Sequence, residues 1–129
     1  MKVASTIARY LLGLIFLIFG LNGFLNFIPM PPPTGLAAQF VGALFVSHYT
    51  VVVFLCQLIP AILLLINRYT PLALAILGPV IVNIFCFHAF LAPSGLPLAV
   101  IVVILWILTF LSVRSAFAGL FLARAPENQ

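Results

Sequence analysis

Very few side chains in this sequence could do chemistry, and their spacing says how they are held. Asn22 and Asn26 stand one helical turn apart. Gln57, Asn83 and His88 follow in later apolar runs, with His48 in the short polar run Ser47-His48-Tyr49-Thr50. Amides and neutral imidazoles both donate and accept hydrogen bonds without a fixed charge. Brought together, Asn22, Asn26, Gln57, Asn83 and His88 would form a pocket for a polar head such as a quinone carbonyl or a lipid headgroup. Left apart, the same groups would tie helix to helix, at around 0.6 to 2 kcal/mol each. The imidazoles of His48 and His88 could also ligate a haem or chlorophyll-type pigment, or carry a proton. Haem-attachment spacing and an i, i+4 histidine pair are both absent from the sequence, and interfacial histidines satisfied by water or backbone are the plainer reading.

Other chemistries are excluded by residue type. Five basic residues, Lys2, Arg9, Arg68, Arg114 and Arg124, face one acid, Glu127. Paired-carboxylate hydrolysis, carboxylate proton relays and hard-cation cages therefore have no ligands or bases to use, and no metal site is expected. The formal charge of +4 is too sparse and scattered to track a nucleic-acid backbone. Cys56 and Cys86 do not form a Cys-x-x-Cys motif, so they read as small buried hydrophobes on neighbouring helices rather than as a thiol redox centre. Phosphate-binding glycine loops and serine nucleophile elbows are missing too. No residue is expected to be catalytic.

The elements that must position these groups follow from hydropathy. Of the 129 residues, 66% are hydrophobic and 5% charged, with a mean hydropathy of +1.40, more apolar than a water-soluble domain of this length can hide. The fold expected is all-α: a membrane-spanning four-helix bundle made of two antiparallel hairpins, in one transmembrane domain over 1–129. A span needs about 20 apolar residues to cross ~30 Å of hydrocarbon. Cutting the sequence at its turn formers gives spans at about 10–28, 50–66, 71–91 and 97–113. The first ends at Pro29-Met30-Pro31-Pro32-Pro33, where amide donors are lost and backbone angles restricted. The uncharged run from Leu36 to Ile66 would be ~47 Å long as one helix, too long for a single crossing. A break at the Ser47–Thr50 run leaves a short interfacial helix over about 36–46, and the apolar segment 115–123 is expected to lie along the interface near the C-terminus.

All five basic residues fall at the N-terminus, at the second-to-third connection or at the C-terminus, and none in the other two connections. By the positive-inside rule both termini are expected on the cytoplasmic side. Counting ~1.5 Å per residue from the span ends puts the five pocket residues in the outward half of the bilayer, with His48 at its rim. Gly13 and Gly20 share a different face of the first span from the asparagines, suited to close helix approach.

The opening ARYLLGLIFLIFGLNGF, the break FIPMPPPTGLAAQF, the hairpin QLIPAILLLINRYTPLALAILGP and the segment VNIFCFH together resemble the DoxX family of small bacterial four-helix membrane proteins. The resemblance covers essentially the whole chain and rests on the order of Arg9, Gly13, Gly20, the proline break and the second hairpin. It implies a place in the bacterial cytoplasmic (inner) membrane and an association with redox systems. Many relatives carry a lysine shortly after the second glycine of the first span, where Asn22 and Asn26 stand here, so a lysine-dependent role does not carry over. Three functions are compatible with these residues. One is a non-catalytic accessory subunit docked on larger integral membrane subunits of a redox or electron-transfer complex. Another is a quinone-linked oxidoreductase component. The third, a small lipid-handling or transport protein, lacks an intramembrane charge to couple to.

Overall fold

The computed structural model describes residues 2–128, all helix and connections, with no strand among them. Five α-helices run in order: α1 Lys2–Leu25, α2 Gly35–Val46, α3 Tyr49–Leu65, α4 Thr70–Phe90 and α5 Leu96–Val113. Short 3-10 segments at Pro93–Gly95 and Arg114–Phe121 precede and follow α5.

Each helix ends for a local reason. At the end of α1 the Asn22 side-chain Oδ1 accepts the backbone N–H of Ile28 at 2.7 Å, while Asn26 turns left-handed at φ 52°. The prolines that follow then keep the chain extended. His48, at φ 61°, separates α2 from α3, which are bent by 90° across it. Between α3 and α4 two left-handed residues, Asn67 and Tyr69, flank Arg68, whose N–H reaches back to the Leu63 carbonyl at 3.0 Å. That backward bond satisfies a carbonyl which the end of a helix otherwise leaves open. Thr70 then donates its hydroxyl to Asn67 Oδ1 at 3.2 Å, and Pro71 opens α4 where a missing N–H costs nothing.

The first helix differs from expectation at its start. The span set at 10–28 treats Lys2 and Arg9 as flanking charges, but the helix begins at Lys2. Hydrophobic length sets where a span can enter a membrane, whereas only turn formers and unpaired ends stop a helix, and nothing between Lys2 and Tyr10 does so.

Helix α1 packs on α3 and α5, and α4 packs on the same two, so these four close a ring. Leu12 and Phe16 of α1, Ala61 and Leu64 of α3, Ala73, Leu74 and Leu77 of α4, and Val102 and Leu105 of α5 fill its interior. The α1–α3 seam is the tightest part. A Cβ added at Gly13 would come within 2.9 Å of Leu65 Cγ, and one at Gly20 within 2.9 Å of Leu58 Cγ. At Gly23 the Phe54 ring already occupies the space a Cβ would need. Between α4 and α5 the register is fixed by Trp106, whose Nε1–H donates to the Leu74 carbonyl at 3.0 Å. Helix α2 lies outside the ring, touching α3 and placing Phe40 against Phe87 of α4 at 5.8 Å between ring centres.

Three stretches, Lys2–Leu25, Thr70–Phe90 and Pro93–Phe121, are each long and apolar enough to cross a membrane. Helix α3, with 17 residues and a length of about 26 Å, meets that measure only together with the bent α2.

Candidate functional site

Three of the six residues singled out from the sequence are turned onto backbone. Asn22, in a buried position on α1, holds the Ile28 N–H and so closes its own helix. Asn83 is exposed, and its side-chain N–H donates to the Pro79 carbonyl one turn earlier on α4 at 2.8 Å. His88, half-buried near the end of α4, has Nδ1 at 3.2 Å from the Ala92 carbonyl, a bond that requires the ring proton on Nδ1. Its ring lies against Gly95, leaving no room for a side chain there. Asn26 and His48 are exposed, and their left-handed backbones serve turns.

Gln57 is different. It is only 7% exposed and continues the face of α3 that carries Ala61 and Leu64 into the core, yet its amide makes no side-chain hydrogen bond among the described residues. No fully enclosed side-chain nitrogen or oxygen among the described residues lacks a partner, so the Gln57 amide is reachable from outside. None of the six residues hydrogen-bonds another.

Two clefts in the surface stand out, and neither is lined by any of the six. One, at the start of α1, is lined by Lys2, Val3, Thr6 and Ile7. The other is a groove of about 480 Å³ between α4 and α5, lined by Gly78, Ile81, Val82, Phe85, Cys86, Val103, Trp106 and Ile107. Apart from the Cys86 sulfur and the Trp106 N–H, which is already bonded to Leu74, its lining has no polar side-chain group. The two cysteines are both free, Cys56 half-buried and Cys86 exposed in this groove, so the expectation of two buried thiols is met by neither. No group of three or more His, Cys, Asp or Glu residues among those described could hold a metal ion.

The opposite end of the ring holds polar groups that sequence spacing did not single out. Ser5, Arg9, Thr70 and Thr109 are all buried. Arg9 sits with its guanidinium over the Tyr10 ring, 4.3 Å from the centroid, and donates from Nη1 to the Leu64 carbonyl in the last turn of α3. A cation there offsets the partial negative charge of the helix C-terminus. The antiparallel pairing that brings Arg9 to Leu64 also sets the start of α1, the end of α3 and the start of α4 at one end. The Trp106–Leu74 bond adds the end of α5. Lys2, Arg68 and Arg114 accordingly gather at this end with Arg9. In the sequence the available sign was the Ser5 to Arg9 spacing of one turn on a stretch with no helix breaker, which marks one face of a continuing helix.

No protein-family model matches the chain, and neither does any curated protein or solved structure.

Proposed function

We propose that the protein is a membrane-embedded four-helix bundle that works as a non-catalytic subunit, docked on a larger integral membrane complex of redox or electron-transfer type. The observation that carries this reading is the direction of its polar groups. Asn22, Asn83, His88 and Trp106 bond to the chain's own backbone, while the outward faces of every helix are apolar, from Leu14 and Ile18 to Ile104 and Ile107. A surface of that kind has no use in water, and its apolar faces offer contact to lipid or to other helices. The resemblance to DoxX proteins supports the redox setting and the bacterial cytoplasmic membrane. The gathering of basic residues at one end supports cytoplasmic termini, because loops rich in Lys and Arg stay on that side.

Gentle detergent extraction from the native membrane, followed by native electrophoresis and identification of co-migrating subunits, tests the docking role. Stoichiometric co-migration with larger redox subunits is the expected result. A lone 14.0 kDa species under every mild condition overturns it.

A quinone-linked role keeps one specific support, the buried Gln57 amide with no side-chain hydrogen bond among the described residues. A quinone carbonyl could accept its N–H. Replacement by Leu should then abolish quinone-dependent turnover of the parent complex while the helical signal stays intact, and unchanged turnover removes this reading.

A further inference from the structure

A group that the docking role does not use lies at the basic end of the ring. Arg9 is 9% exposed and always charged, with five N–H donors in a planar fork. One donor meets the Leu64 carbonyl, and the Tyr10 ring lies against the guanidinium at 4.3 Å. No carboxylate among the described residues bonds or pairs with it. The one acid, Glu127, is exposed in the C-terminal tail, and the charges gathered nearby are Lys2, Arg68 and Arg114. No enclosed side-chain nitrogen among the described residues lacks a partner, so the donors of Arg9 beyond the Leu64 bond are reachable from outside, where an anion with two oxygens in one plane matches the fork.

The geometry points to an oxyanion site built on Arg9 that takes a phosphate group, supplied by an anionic phospholipid or by free phosphate. The neighbouring cleft favours the lipid source. Lys2 lies seven residues before Arg9 and almost directly below it on the helix, so an amine lines the approach, while the Thr6 hydroxyl between them is already given to the Lys2 carbonyl at 2.9 Å. Val3 and Ile7 line the same cleft, beside the amine, where a hydrocarbon chain attached to the phosphate would lie. Arg68 and Arg114 are exposed and attract anions without specific geometry. The site does not depend on the docking role.

The test uses the full chain purified in a neutral detergent and reads lipid retention by native mass spectrometry together with thermal unfolding. Phosphatidylglycerol, phosphatidylcholine and inorganic phosphate are the three probes. Phosphatidylglycerol is expected to stay bound at one per chain, about tenfold more tightly than phosphatidylcholine. Arg9→Gln should remove that preference, while Arg68→Gln and Arg114→Gln leave it within about twofold. Arg9→Lys, which keeps the charge and loses the fork, should fall between them and serves as the test if Arg9→Gln does not fold. A rise in unfolding temperature with inorganic phosphate alone, lost in the Arg9 variants, would assign the site to free phosphate. Equal retention of the two lipids with no response to phosphate overturns the site, as does a preference unchanged in both Arg9 variants. Co-migration of the parent complex is read separately, so either proposal can fail alone.

Discussion

Two seams of the ring use glycine in opposite ways. Along α1 and α3, Gly13, Gly20 and Gly23 stand where Leu65, Leu58 and Phe54 press against the helix backbone, and the glycines are what let α1 come so close. Along α4 and α5, Gly78 meets only the edge of Trp106, at 3.9 Å from where its Cβ would be, and the space beside it opens into the apolar groove. Glycine in a helix interior weakens it by roughly 0.5–1 kcal/mol relative to alanine. On the first seam that cost is offset by packing that alanine would forbid. On the second nothing in the chain offsets it.

Substitutions sharpen this contrast, from the largest effect to the smallest. Gly20→Leu should be the most damaging, losing about 3 kcal/mol or more because Leu58 and the α3 backbone cannot both retreat; a denaturant or thermal series in detergent that shows it as stable as the parent would break the comparison. Asn22→Leu is expected to cost about 1–2 kcal/mol by freeing the Ile28 N–H and fraying the end of α1, read as lower stability and faster amide exchange over 23–28. Trp106→Phe removes the bond to Leu74 but keeps most of the ring, so a loss of about 1 kcal/mol with normal helix content is expected by the same unfolding assay. Gly78→Ala should be neutral or stabilising by up to about 1 kcal/mol, since a methyl group there would make only an ordinary contact with Trp106. A strongly destabilised Gly78→Ala protein would mean that the groove is occupied by something that needs its depth.

The ends of the molecule repeat the lesson with polar residues. Asn22, Asn83 and His88 are conspicuous in the sequence because they interrupt apolar runs, and their similar depth is compatible with a shared pocket or with hydrogen bonds between helices. In the structure each finds an acceptor or donor within six residues along the chain, so each is used before a neighbouring helix can compete for it. Arg9, by contrast, reads from the sequence as a charge that marks the cytoplasmic side. Its partner, the carbonyl of Leu64, is 55 residues away and belongs to the backbone, which has no sequence signature. Gln57 falls between these cases: its burial follows from its place on the inward face of α3, but no count along the chain could show that its amide finds no partner among the described residues.

The sequence by itself carried the all-helical class, the apolar runs long enough to cross a membrane, and the confinement of all five cations to positions outside the two long uncharged stretches. Those features depend on hydropathy, on prolines and left-handed turns, and on which residues precede them, all of which are local. Only the tertiary structure decided which glycines are clamped and which line a groove, and that Arg9 is buried against α3. Those outcomes depend on which helices become neighbours and at what register. Residues far apart in the chain set both together, through close packing and through backbone groups identical at every position.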